Sequence, residues 1–110
     1  MLHHCILPVC LLIASVVLAQ ADSSNFFLQK GLDEKQKGRR MESLRNFEKS
    51  FKYDSSNKVL LGELASAYVD LRKYYQAKET YKKLVNLGET SSTNYKQLLQ
   101  LCFNLRSYDE

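Results

Sequence analysis

The side chains best suited to act as nucleophile, general base or soft metal ligand crowd one end of this chain. Both histidines, His3 and His4, and two of the three cysteines, Cys5 and Cys10, lie near the start; the third is Cys102. They belong to a stretch, Met1–Ala21, that holds no Lys, Arg, Asp or Glu. An apolar run from Cys5 to Leu18 is followed by Ala19-Gln20-Ala21, small residues flanking one position as a signal peptidase requires. The run is shorter than the about 20 apolar residues of a membrane span. The expectation is therefore a cleaved secretory signal over 1–21, with a membrane-anchored chain only if that segment stays uncleaved. Cys10 follows Leu7-Pro8-Val9 rather than a small residue, so no lipid attachment is expected there.

Cleavage after Ala21 would remove every imidazole and leave Asp22–Glu110 with Cys102 alone. Such a chain has no Ser–His or Cys–His pair and no histidine ligand. One cysteine can form neither an internal disulfide nor a thiolate metal site. Arg106 is the only basic side chain one helical turn from Cys102, which gives weak thiolate activation. No convincing carboxylate pair stands out either. The expected protein has no catalytic residue, no metal and no cofactor, and is not an enzyme. Without disulfides, an exported domain of this size must be held together by packing.

The remaining polar chemistry is charge. All 16 Lys and Arg and all 12 Asp and Glu lie beyond Ala21, so the net charge of +4 belongs to that part. Lys35, Lys37, Arg39 and Arg40 form one basic group, and Arg72, Lys73, Lys78, Lys82 and Lys83 another. Asp33, Glu34, Glu42, Glu48, Asp70 and Glu79 interleave with them. Nucleic-acid surfaces need like charge along one face with stacking aromatics between. Here the aromatics keep core spacing, so nucleic acid is excluded as a partner.

These side chains are positioned by helices. Leu61, Leu64, Ala65 and Tyr68 recur at the spacing of one apolar helical stripe, and Tyr74, Ala77, Tyr81, Leu84 and Val85 do the same after a break at Leu71-Arg72-Lys73. Ala65 and Ala77 allow two such helices to approach closely, as an antiparallel pair. Ser23, Ser24 and Asn25 are candidate caps for a first helix running to Lys37, with Phe26, Phe27 and Gly31 on its packed side. Gly38-Arg39-Arg40 makes a turn. Met41–Tyr53 is the next helix, with Leu44, Phe47, Ser50 and Phe51 inward. Asp54-Ser55-Ser56-Asn57 ends it and caps its successor. A fifth helix spans about Thr93 to Leu105, its inner stripe being Tyr95, Leu98, Leu99 and Cys102. No strand period appears.

The pair repeats. A shift of 34 residues places Leu61 on Phe27 and on Tyr95, Ala65 on Gly31, Ala77 on Ser43, Tyr81 on Phe47, Leu64 on Leu98, and Tyr68 on Cys102. Gly31-Leu-Asp-Glu-Lys-Gln-Lys-Gly38 with Ser43 and Phe47, and Ala65-Ser-Ala-Tyr68 with Tyr74, Ala77 and Tyr81, resemble two units of the tetratricopeptide repeat family. Ser55 and Glu89 stand where that family's closing proline falls. The resemblance implies an all-α domain over 22–110: antiparallel helix pairs stacked as a short right-handed solenoid. Its repeats would cover about 24–57, 58–91 and an incomplete 92–110.

The resemblance further implies a concave groove lined by the first helix of each pair. Its lining residues would be Leu32, Lys35 and Gln36; Glu63, Ser66, Val69 and Asp70; then Lys96, Gln97, Gln100, Phe103 and Asn104. Relatives that clamp the C-terminal carboxylate of chaperone peptides place Lys, Asn and Arg at five groove sites. The matching sites here hold Leu28, Leu32, Glu63, Thr93 and Gln97, and nothing in that set neutralises a carboxylate. The implied function is a non-catalytic scaffold of the envelope or secreted space that binds a peptide or helix of another protein. The alternative is the N-terminal module of a longer envelope protein with its own signalling or cell-wall-anchoring domain. Leu101, Phe103 and Leu105 lie at or beyond the edge of the fifth helix's stripe. They predict an exposed apolar end that self-associates or needs a cover.

Overall fold

The computed structural model describes the backbone of residues 3–88 and 92–109 and the side chains of residues 18–88, 93–94 and 96–106. Within them the chain is all α: α1 His3–Gln36, α2 Arg40–Tyr53, α3 Lys58–Asp70, α4 Tyr74–Asn86 and α5 Ser92–Asp109. Each helix packs on its neighbour in sequence, α1 on α2 and α3 on α4 as pairs, with α3 lying on α2 and α5 on α4.

The turns show why the pairs fold back. Gly38 adopts φ +76° after α1, and the amide of Arg39 reaches the Glu34 carbonyl at 2.9 Å, the six-residue closure of a Schellman motif. One repeat later Arg72 takes the same place with φ +59°, and the Lys73 amide reaches the Tyr68 carbonyl at 2.8 Å. Asn57 caps α3, its side-chain oxygen accepting from the Leu60 amide at 3.2 Å. The Asp54 carboxylate accepts from the amide and the hydroxyl of Ser56, both at 3.0 Å, which holds the preceding turn.

The α1–α2 interface is built from small residues. A Cβ added to Gly31 would stand 2.6 Å from the Phe47 ring, and Phe47 is wholly buried. The Ser43 hydroxyl donates to the Gly31 carbonyl at 2.9 Å, and the Ser50 hydroxyl to the Ser24 carbonyl at 2.7 Å. Ser24 therefore does not cap a helix. α1 continues through it without interruption, and its hydroxyl sits 3.0 Å from that of Ser50 at the centre of the contact. The packed side of α1 is set by Ser24, Leu28 and Gly31, so Phe26 points outward at 61% exposure, contrary to the sequence expectation.

The core has two centres that meet on α3. Leu28, Leu44, Phe47, Leu60 and Leu64 make one; Leu61, Ala65, Ala77, Tyr81, Leu84 and Leu101 make the other. Phe51 and Tyr68 pack against both. Tyr74, expected inside, is 36% exposed at the start of α4. The fifth helix is rotated from its expected setting. Leu101 is 4% exposed rather than part of an open end, whereas Leu99 is 60% and Phe103 69% exposed. Cys102 is exposed as well. Leu98 packs on the second core centre and Leu105 is half-buried. The inward face of α5 is thus Leu98, Leu101 and Leu105, because those positions face α4.

Candidate protein-binding groove

The first helices of successive pairs, α1 and α3, present polar side chains to a common recess. Lys35 of α1 and Glu63 of α3 form an ion pair at 2.7 Å across it. Ser66 and Asp70, one and two turns further along α3, complete that side, and the recess encloses about 260 Å³. Spacings of three and four residues put Glu63, Ser66, Ala67 and Asp70 on one face of α3. The pair is half exposed at Lys35, so its value is positional more than energetic.

Of the groove residues expected from sequence, Lys35, Glu63, Ser66 and Asp70 come together here. Gln36 is exposed at the last turn of α1 and does not line this recess. Lys96, Gln97, Gln100 and Asn104 stand on the exposed side of α5, where Gln100 donates to Asn104 at 3.0 Å. The recess also holds Gly38, Arg40, Ser43 and Phe47, which sequence reasoning assigned to a turn and to the core.

Two phenols on this frame are shifted. Tyr68 is pushed up to about 12, first by burial and then by the nearby Glu48 carboxylate. Burial also raises Tyr81, with the Asp70 charge adding to it. Both stay protonated and neutral at physiological pH, as packing residues would. Among the described residues, no three His, Cys, Asp or Glu side chains gather where a metal ion could be held, and no helix is long and apolar enough to cross a membrane.

Helix pairs joined by tight turns, stacked so that the first helices share a face, define the tetratricopeptide-type repeat fold. No family model matches the chain, and no curated protein matches it. Solved structures do. The first TPR of Spaghetti (RPAP3), bound to the HSP90 peptide SRMEEVD, superimposes with a TM-score of 0.68 at 24% identity, over 81% of this chain and 71% of that one. The first TPR domain of the human RPAP3 protein, solved by NMR, gives 0.63 at 24% identity, over 79% and 68%. The likeness is one of fold.

Proposed function

We propose that this chain is a non-catalytic protein-interaction scaffold, which takes a peptide or helix of another protein along the face built by α1, α3 and α5. The observation that supports it most is the recess between α1 and α3, where Lys35, Glu63, Ser66 and Asp70 converge from consecutive repeats. A polar, partly paired lining of this kind suits directional hydrogen bonding to an extended backbone. The Spaghetti neighbour holds an HSP90 peptide, but the five places of the carboxylate clamp here carry Leu28, Leu32, Glu63, Thr93 and Gln97. Leu28 is buried in the core and Glu63 is paired with Lys35. The ligand is accordingly a different one, bound without a terminal-carboxylate clamp.

Peptide-display selection on the whole chain tests this reading. Selected peptides are expected to lose binding to Ser66→Tyr, whose larger side chain fills the recess. Undiminished binding to that variant would place the peptide site elsewhere.

The same proposal sets the scaffold in the envelope or the secreted space, on the strength of the uncharged Met1–Ala21 segment and its Ala19-Gln20-Ala21 end. The exported protein should begin at Asp22 on N-terminal sequencing, whereas a soluble cytoplasmic product with intact Met1 would overturn it. An uncleaved anchor is the second reading, resting on the apolar run from Cys5 to Leu18. It predicts intact Met1 in the membrane fraction.

A further inference from the structure

A second groove lies on the other side of α3. Glu63, Ser66, Ala67 and Asp70 face the recess described above, while Leu61, Leu64 and Tyr68 floor a trough of about 760 Å³. At 3.6 residues per turn the two sets lie about half a turn apart, so the trough opens on the opposite face of the stack. Phe51 and Lys52 of α2 form one wall; Tyr75, Lys82 and Lys83 of α4 form the other. Its volume is that of a site able to seat bulky side chains of a ligand.

The trough's charges are not balanced. Three lysines, Lys52, Lys82 and Lys83, line it against two carboxylates, Glu48 and Glu79, and Glu79 already lies 3.7 Å from Lys78. Its lysines are not neutralised. Lys52 and Lys82 are exposed and form no ion pair among the described residues. Lys83 stands 4.8 Å over the Phe51 ring, a cation–π contact that leaves its charge intact. An apolar and aromatic floor thus sits beneath a cationic rim.

We propose that this trough docks an acidic segment of a partner protein, its bulky apolar side chains seated on Phe51, Tyr68 and Tyr75 and its carboxylates against Lys52 and Lys82. A second copy of this chain is a poor match, because each copy carries a net charge of +4 and like charge opposes association. Binding here is independent of the α1–α3 recess, since the two share α3 but not a face.

The test titrates the full chain with a labelled peptide of Glu-Leu-Leu-Glu-Glu repeats and with the same peptide carrying Lys for Glu. The acidic peptide binds and the basic one does not. Joint Lys52→Glu and Lys82→Glu substitution, at exposed positions, leaves the thermal melt unchanged and weakens binding roughly tenfold or more. Ser66→Tyr, in the opposite recess, leaves the affinity as it was. Failure of the acidic peptide to bind, equal binding of both peptides, or indifference to the double reversal would each overturn the proposal. So would a dimer in sedimentation that the double reversal dissociates, since a second copy would then fill the trough. Ser66→Tyr separates these outcomes from failure of the groove reading, which it alone tests.

Discussion

Gly31 and Phe47 show how one repeat position fixes a helix contact. The sequence places Gly31 where the next repeat has Ala65, and size matching alone reads it as merely small. The structure makes it obligatory, because a Cβ there meets the buried Phe47 ring at 2.6 Å. Two effects compete in Gly31→Ala. Helix propensity favours the alanine by about 1 kcal/mol, while overpacking a closed interface costs about 1–3 kcal/mol. Phe47 has no exposed edge to give way, so overpacking wins. The variant should be destabilised by about 1–2 kcal/mol in denaturant unfolding, and a gain in stability would mean that α1 and α2 separate more readily than this contact implies. Ser24 was less legible. A serine ahead of an apolar stripe looks like a cap, and only packing against Ser50 reveals a buried hydroxyl pair.

At the scale of elements, the central pair was readable because its stripes keep strict three- and four-residue spacing and its turn recurs one repeat earlier. Lys35, Glu63, Ser66 and Asp70, which border the α1–α3 recess, were reached through the resemblance to the repeat family rather than through spacing alone. Arg40 and Phe47 were not, since no local pattern says that a helix start and a core ring border a recess. The fifth helix misled for a physical reason. In α3 the stripe Leu61, Leu64, Ala65 and Tyr68 is covered by helices on two sides, α2 and α4. Transferred to α5, that stripe puts Leu99 and Cys102 inside, but among the described residues α5 packs chiefly on α4. The helix therefore turns Leu101 into the second core centre, beside Ala77 and Leu84. Truncation separates the two settings. Leu101→Ala should cost about 2–4 kcal/mol, and Leu99→Ala within about 0.5 kcal/mol of nothing. Equal effects would restore the stripe taken directly from the repeat.

The molecule's two core centres are joined through α3, with Phe51 and Tyr68 touching both, so the pairs should unfold as one unit. Tyr68 gives that junction a pH dependence whose sign can be fixed. Its phenol ionises near 10 in an unfolded chain and at about 12 in the folded one, held up by burial and by Glu48. Between those values the unfolded chain releases a proton that the native chain keeps. By linkage the native state then loses ground as pH rises. Stability is intact below pH 10 and declines from there toward 12, with Tyr81 adding in the same direction. Tyr68→Phe removes the larger contribution. Near neutral pH it removes only a partly exposed hydroxyl and should change stability by about 1 kcal/mol or less. Its stability should then fall less steeply than the wild type's across the alkaline range. Urea unfolding at a series of pH values from about 8 to 11 measures both slopes, a range chosen to bracket the free phenol. Parallel slopes would show that Tyr68 titrates as though unburied, and that the two centres are not closed around it.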